Sequence, residues 1–219
     1  MAADLEVTRL MNNIRERTPG ATDAGIQREL FNAVDEFFRD TNVWKEDVPL
    51  TVPGQDPAGT PYIIAPNEPA NITQLMWVFG ASTDPSTSRG APIQASMSVI
   101  GELVLRFQPS SPMDIVVTVA LTVQDPVNRD GYVVLPQWIM QKYAETFLDG
   151  TVGRLMTQPN KPWTNSQMSV YHLRKFASKK AAARVEATRN NTFRQQAWCF
   201  PGFVRGSQKG RSSGWAPPQ

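Results

Sequence analysis

The chain has one cysteine and one histidine among its 219 residues. With Cys199 alone no internal disulfide can form, which fits a reducing compartment. Cys199 lies between Trp198 and Phe200, and that flank points to burial rather than to an activated thiolate. His172 falls on the last predicted helix, with no carboxylate within four residues to orient it as in a triad. The spacings CxxC, HExxH, DxDxDG and GxxxxGK[ST] are all absent, so no metal site, nucleotide loop or other cofactor has sequence support. The chain is therefore expected not to be an enzyme. Nor does any apolar run approach the ~20 residues that span a bilayer. Asp4, Glu6 and Arg9 near the start replace the apolar stretch of a signal peptide, so none is expected.

Acidic residues are scarce at one end. Residues 160–219 hold 11 Lys and Arg against a single acid, Glu186, for a net +10, whereas residues 1–159 hold 11 bases and 19 acids, for a net −8. The overall +2 conceals this polarity. It suits contact with nucleic acid, or an assembly in which the basic end of one copy meets an acidic surface, or simply a solvated basic helix and tail.

The chemical texture of what is present divides the chain. Residues 5–14 carry a short helical pattern that ends at the RTPG turn of 17–20. Thr22 or Asp23 caps a second helix to about Thr41. Ile26, Leu30, Ala33, Val34, Phe37 and Phe38 form one apolar face on it. Eleven of the 18 prolines then fall between 48 and 126, among short β-rich runs at 48–52, 61–65, 72–79, 102–107 and 114–123. Alternation in the last two predicts half-buried strands. The polar loop 80–92 separates two of the runs and is a candidate contact loop. Helix returns at Leu135, with Pro136 at its first position; Gly150 and Gly153 either interrupt it or allow close approach. After a turn at 158–163, Thr164 or Asn165 caps a last helix to about Asn190. Its bases (Arg174, Lys175, Lys179, Lys180, Arg184, Arg189) point most ways round the wheel, which predicts no single dry face. The acid pairs Asp35–Glu36 and Glu46–Asp47 read as solvating, and Trp44, Trp77, Trp138 and Tyr143 as core.

The expected fold is α+β. A helical body comes from the N- and C-terminal helices (1–47 and 135–190), with an inserted antiparallel β lobe (48–134) and an extended C-terminal arm (191–219). The arm has five aromatics, Phe193, Trp198, Phe200, Phe203 and Trp215, no acid, and the bases Arg194, Arg205, Lys209 and Arg211. Its four glycines oppose a helix or central strand, yet disordered tails are usually poor in aromatics. Two readings follow. Either the arm docks on a partner through Phe193, Arg194, Trp198, Phe200, Phe203, Arg205 and Trp215, or Trp198 to Phe203 fold back on their own subunit. Aromatics beside arginine are what interface hot spots prefer. Interleaved bases and aromatics also suit sequence-independent nucleic-acid contact, although zinc-knuckle, RRM and KH signatures are absent.

Three phrases carry a resemblance: FNAVDEFFRDTNVWKEDVPLTV (31–52), LPQWIMQKYAETFLDGTVGRLMTQPNKPW (135–163) and YHLRKFASKKAAARVEA (171–187). Together with the order of elements they resemble the head-to-tail adaptor proteins of short-tailed bacteriophages. Trp44, Leu135, Pro136, Trp138, Ala144, Gly150, Pro162 and Trp163 occupy the places of that family's pattern. The resemblance implies a homo-oligomeric ring, typically of twelve copies, in the neck of a virion assembled in the host cytoplasm. Such a ring lies between the portal and the tail nozzle or tube protein around the DNA channel, close to genomic DNA but without reading it. The resemblance also implies tail fibres or nozzle on the β lobe, the arm on the portal, and no membrane.

Overall fold

The computed structural model describes residues 2–67, 70–81, 90–124 and 135–189. The first helix, α1 (Ala2–Arg17), is longer at both ends than its apolar pattern predicts. Thr18 caps the exit from its last turn, its hydroxyl donating to the Ile14 carbonyl at 2.9 Å. Helix α2 (Asp23–Thr41) begins as predicted, with the Thr22 side chain accepting from the Gly25 N–H. It ends at Asn42, which takes the left-handed conformation (φ 51°) while its N–H returns to the Phe38 carbonyl. The whole predicted apolar face of α2 is buried.

Two three-stranded antiparallel sheets follow. The first pairs β1 (Lys45–Val52) and β3 (Ala70–Gly80) on either side of the central strand β6 (Met113–Val123). The second pairs β2 (Pro61–Ile63) and β4 (Ala95–Val99) on either side of β5 (Glu102–Leu105). Phe79 bridges to Pro92, and the Ile93 N–H donates to the Val78 carbonyl, tying the two sheets together. Strand β4, sequence ASMSV, lies outside the predicted runs because its alternation is short and holds only one β-branched residue. The expectation of a half-buried strand fails for β6. Its even positions Thr118, Ala120 and Thr122 are buried as well, since α2 covers that face. Each threonine finds an acid: Thr118 Oγ1 donates to Asp47 Oδ1, and Thr122 Oγ1 to Asp35 Oδ1 at 2.8 Å.

The chain returns to helix at α3 (Gln137–Thr157) and α4 (Ser166–Thr188). Pro136 stands at the N-cap of α3, one position before the predicted place. Asn165 caps α4, its side chain accepting from the Met168 N–H at 3.1 Å. α3 is the axis of the helical body, touched by α1, α2 and α4. Phe147 from α3 meets Phe37 edge-on at 5.3 Å between ring centres, and Tyr143 lies 5.0 Å from Phe37. Trp44 closes the cluster at 5.5 Å from Phe38, where the helices hand over to β1.

Gly150 and Gly153 do not interrupt α3. They let α4 come close. A Cβ on Gly150 would stand 2.9 Å from the Phe176 ring and 3.1 Å from Ala33 Cβ, and one on Gly153 would stand 2.9 Å from Leu173. The α3–α4 turn and the α1–α2 turn lie together at one end of the body, with the Trp163 ring over Gly20. The architecture is thus the expected α+β: among the described residues, four helices with two small antiparallel sheets between the second and third.

Candidate interaction surface

The arm residues Phe193, Arg194, Trp198, Phe200, Phe203, Arg205 and Trp215 lie outside the described residues, as does 82–89 of the polar loop. The described residues hold surfaces of their own, α4 among them.

Contrary to the sequence reading, α4 has a dry face. Ser169, His172, Phe176, Ala183 and Ala187 recur at helical spacing and are buried against the body. Phe176 is the one large hydrophobe among them. The face is polar and small because the α3 glycines remove the gap that larger side chains would fill. Ser169 Oγ donates to the Gly153 carbonyl at 2.9 Å and shares a 2.8 Å hydrogen bond with Thr157 Oγ1.

Three of the five bases of α4, Lys175, Lys179 and Lys180, pair with acids of α2 and α3. Lys180 pairs with Glu36 at 2.6 Å and with Asp40, both on α2. Arg154 of α3 also pairs with Glu36, so this carboxylate joins α2, α3 and α4. Lys179 reaches Glu145 at 3.2 Å and Asp149 at 3.0 Å on α3. Lys142 pairs with Glu186 at 2.5 Å. Asp35 and Glu36 are therefore connectors and not merely solvating. Burial lowers the ammonium pKa of Lys179 and Lys180, but their carboxylate partners outweigh it, so both rest above the usual lysine range.

His172 and Asp149 form the one buried ionisable pair of the seam between α3 and α4, 5% and 3% exposed. His172 Nδ1 lies 2.9 Å from Asp149 Oδ1; a carboxylate only accepts, so the ring nitrogen carries the hydrogen. Burial pushes the Asp149 carboxyl up. The hydrogen bonds from His172 and Lys179, with the charges of Lys179 and Lys175, more than reverse this and hold it below the usual carboxylate range. The orienter absent from the neighbourhood of His172 in sequence thus comes from α3, 23 residues away. Its one trace in the sequence is an acid inside the small, apolar run FLDGTVG. With both groups closed off from solvent, the pair acts as a pin between helices. Among the described residues no cluster of His, Cys, Asp and Glu is arranged to hold a metal.

Among the described residues, most exposed large apolar side chains lie on two parts of the molecule, with Trp77 and Phe107 elsewhere. On the helical body they are Trp138 at the start of α3 and Met168, Val170, Tyr171 and Val185 on α4. On the second sheet they are Ile63 (77% exposed), Ile100 (70%) and Val99. Trp138 (45%) and Trp77 (37%) are therefore not core, unlike Trp44 and Tyr143. Trp138 occupies an outward position of the first turn of α3. Trp77 stands on an edge strand with Lys45 Nζ 5.2 Å from its ring centre. A groove of about 270 Å³ separates α1 from α3, with Arg9, Asn13, Gln141 and Glu145 on its walls. No helix among the described residues is long and apolar enough to cross a membrane. No family model matches the chain, and no curated protein matches it.

Proposed function

We propose that the chain is a structural head-to-tail adaptor of a phage virion. In this reading copies form a ring that joins the portal to the tail nozzle around the DNA channel, the segment 191–219 docks on the portal, and no catalysis is involved. The observation that carries the reading is the distribution of exposed apolar residues. They sit on separate elements, chiefly the α3–α4 surface and the second sheet, with Trp77 on the first sheet, and an assembly component needs contacts on more than one side. The order helix, helix, β strands, helix, helix agrees with the family resembled. Exposed apolar patches on a soluble body mark places where other proteins sit.

The experiment is deletion of 191–219 followed by a binding assay on purified portal. The shortened chain keeps its helical circular-dichroism signal and loses portal binding; undiminished binding contradicts the docking role. Sequence-independent nucleic-acid binding is the second reading. It predicts an affinity for short duplexes that falls steeply with salt. The pairing of Lys179 and Lys180 with acids of α2 and α3 leaves it less support, because those charges are already neutralised within the chain.

A further inference from the structure

Two exposed faces have complementary chemistry. On the second sheet the register places Ile63, Glu102 and Val99 side by side across β2, β5 and β4. Residues directly opposed in an antiparallel pair share a face, so the three form one row. Leu103 and Leu105 point to the other, buried side. Ile100, in the β4–β5 turn, extends the row at its end. Glu102 makes no ion pair or hydrogen bond among the described residues, so the patch is an apolar surface with one unanswered acid in its middle.

The outer side of α4 is its counterpart. At about 100° per residue, Val170, Tyr171, Arg174, Ala181 and Val185 fall on one stripe opposite the buried face. Tyr171, Val170 and Val185 are each about half exposed. Arg174 is exposed and has no partner among the described residues, and no acid shares the stripe. Glu186, the one acid of α4, is turned away and held by Lys142.

We infer that the Ile63–Glu102–Val99 face of one copy docks on the Val170–Arg174–Val185 face of a second copy. The inference deepens the ring reading above and rests on it for the presence of many copies side by side. The argument is one of charge and polarity together. An apolar partner laid over the sheet would strand the Glu102 carboxylate away from water, and one laid over α4 would strand the Arg174 guanidinium; each costs several kcal/mol unless paired. Laid on each other, the apolar residues cover one another and the two charges meet. A phosphate-rich or anionic lipid surface suits the α4 stripe alone and is repelled by Glu102. The two faces lie on different elements, so the contact is head-to-tail, and it closes to a ring or runs on as a filament according to its rotation.

The test is a charge exchange in the full chain, read by sedimentation equilibrium over a concentration series up to millimolar. Arg174→Glu and Glu102→Lys each weaken self-association by more than about tenfold, as removal of one member of a covered charge pair does. The double variant carrying both substitutions restores it. Unchanged thermal melting of each variant shows that folding is intact, as expected for two unpartnered surface charges. A parent chain that remains monomeric throughout, single variants that associate as the parent does, or a double variant that is not restored would each overturn the inference. Electron microscopy of the associated material separates the two claims. A filament or open chain that obeys the charge exchange contradicts the adaptor reading and upholds this contact. A ring on the portal that ignores the exchange does the reverse.

Discussion

Helices α2 and α4 are both anchored on α3, but by different physics. α2 buries Ile26, Leu30, Val34, Phe37 and Phe38, an ordinary apolar stripe with an ordinary hydrophobic driving force. α4 buries serine, histidine, two alanines and a single phenylalanine. It is held by close approach at Gly150 and Gly153 and by ionic contacts from Lys179 and Lys180. A helix of the first kind announces itself in the period of its hydrophobic residues. A helix of the second kind reads as basic on all sides, because the groups that fix it are small or charged and their partners lie on other elements.

The contrast can be broken at several points, from the largest expected effect to the smallest. Phe37→Ala removes a fully buried ring from the meeting of Phe38, Tyr143 and Phe147. It should cost about 3–5 kcal/mol in denaturant unfolding. Asp149→Ala leaves the buried His172 ring nitrogen without its acceptor and Lys179 with Glu145 alone, and should cost about 2–4 kcal/mol. Asp149→Asn adds a pH signature. The folded carboxyl lies below its unfolded value, so its stabilisation is present above a pH of about 4 and is lost as pH falls through the folded value. Urea midpoints of Asp149→Asn should therefore fall less steeply in acid than those of the parent. A parallel fall would mean that the pin contributes nothing.

Gly150→Ala introduces a methyl 2.9 Å from the Phe176 ring. The gain in helix propensity of about 1 kcal/mol is outweighed by overpacking, for a net loss of about 1–2 kcal/mol. A stabilised variant would show that the close approach of α4 is not set at this glycine. Arg39→Ala breaks an i,i+4 pair with Asp35 on the outer side of α2. Its expected cost is below about 0.5 kcal/mol, since Arg39 faces solvent and Asp35 keeps its hydrogen bond from Thr122. The ratio between this value and that of Asp149→Ala measures how much burial adds to an ion pair in the same molecule.

The same contrast explains which features were legible beforehand. The α+β architecture, caps at Thr22 or Asp23 and at Thr164 or Asn165, and five of the six strands among the described residues follow from periodicity and punctuation, and the structure selects Thr22 and Asn165. Strand β4 is hidden by its shortness and its small residues, and the two-sided burial of β6 from Val117 on by threonines whose acid partners, Asp35 and Asp47, come from α2 and β1. Trp138 was read as core from its size, yet it occupies an outward position of α3 that a residue count alone does not reveal. The polarity of charge was plain in the sequence, but its meaning was not. Part of it is spent inside the chain, where Lys175, Lys179 and Lys180 of α4 meet acids of α2 and α3, while Arg174 lies on the outer side of α4. The sequence places Glu102 on the polar side of its strand, but only strand register sets it between Ile63 and Val99.

The adaptor reading is tested most directly by electron microscopy of the full chain mixed with portal purified from the same virus. A ring of copies seated coaxially on the portal is the predicted result. Portal particles that remain bare at saturating concentrations of the chain would contradict it.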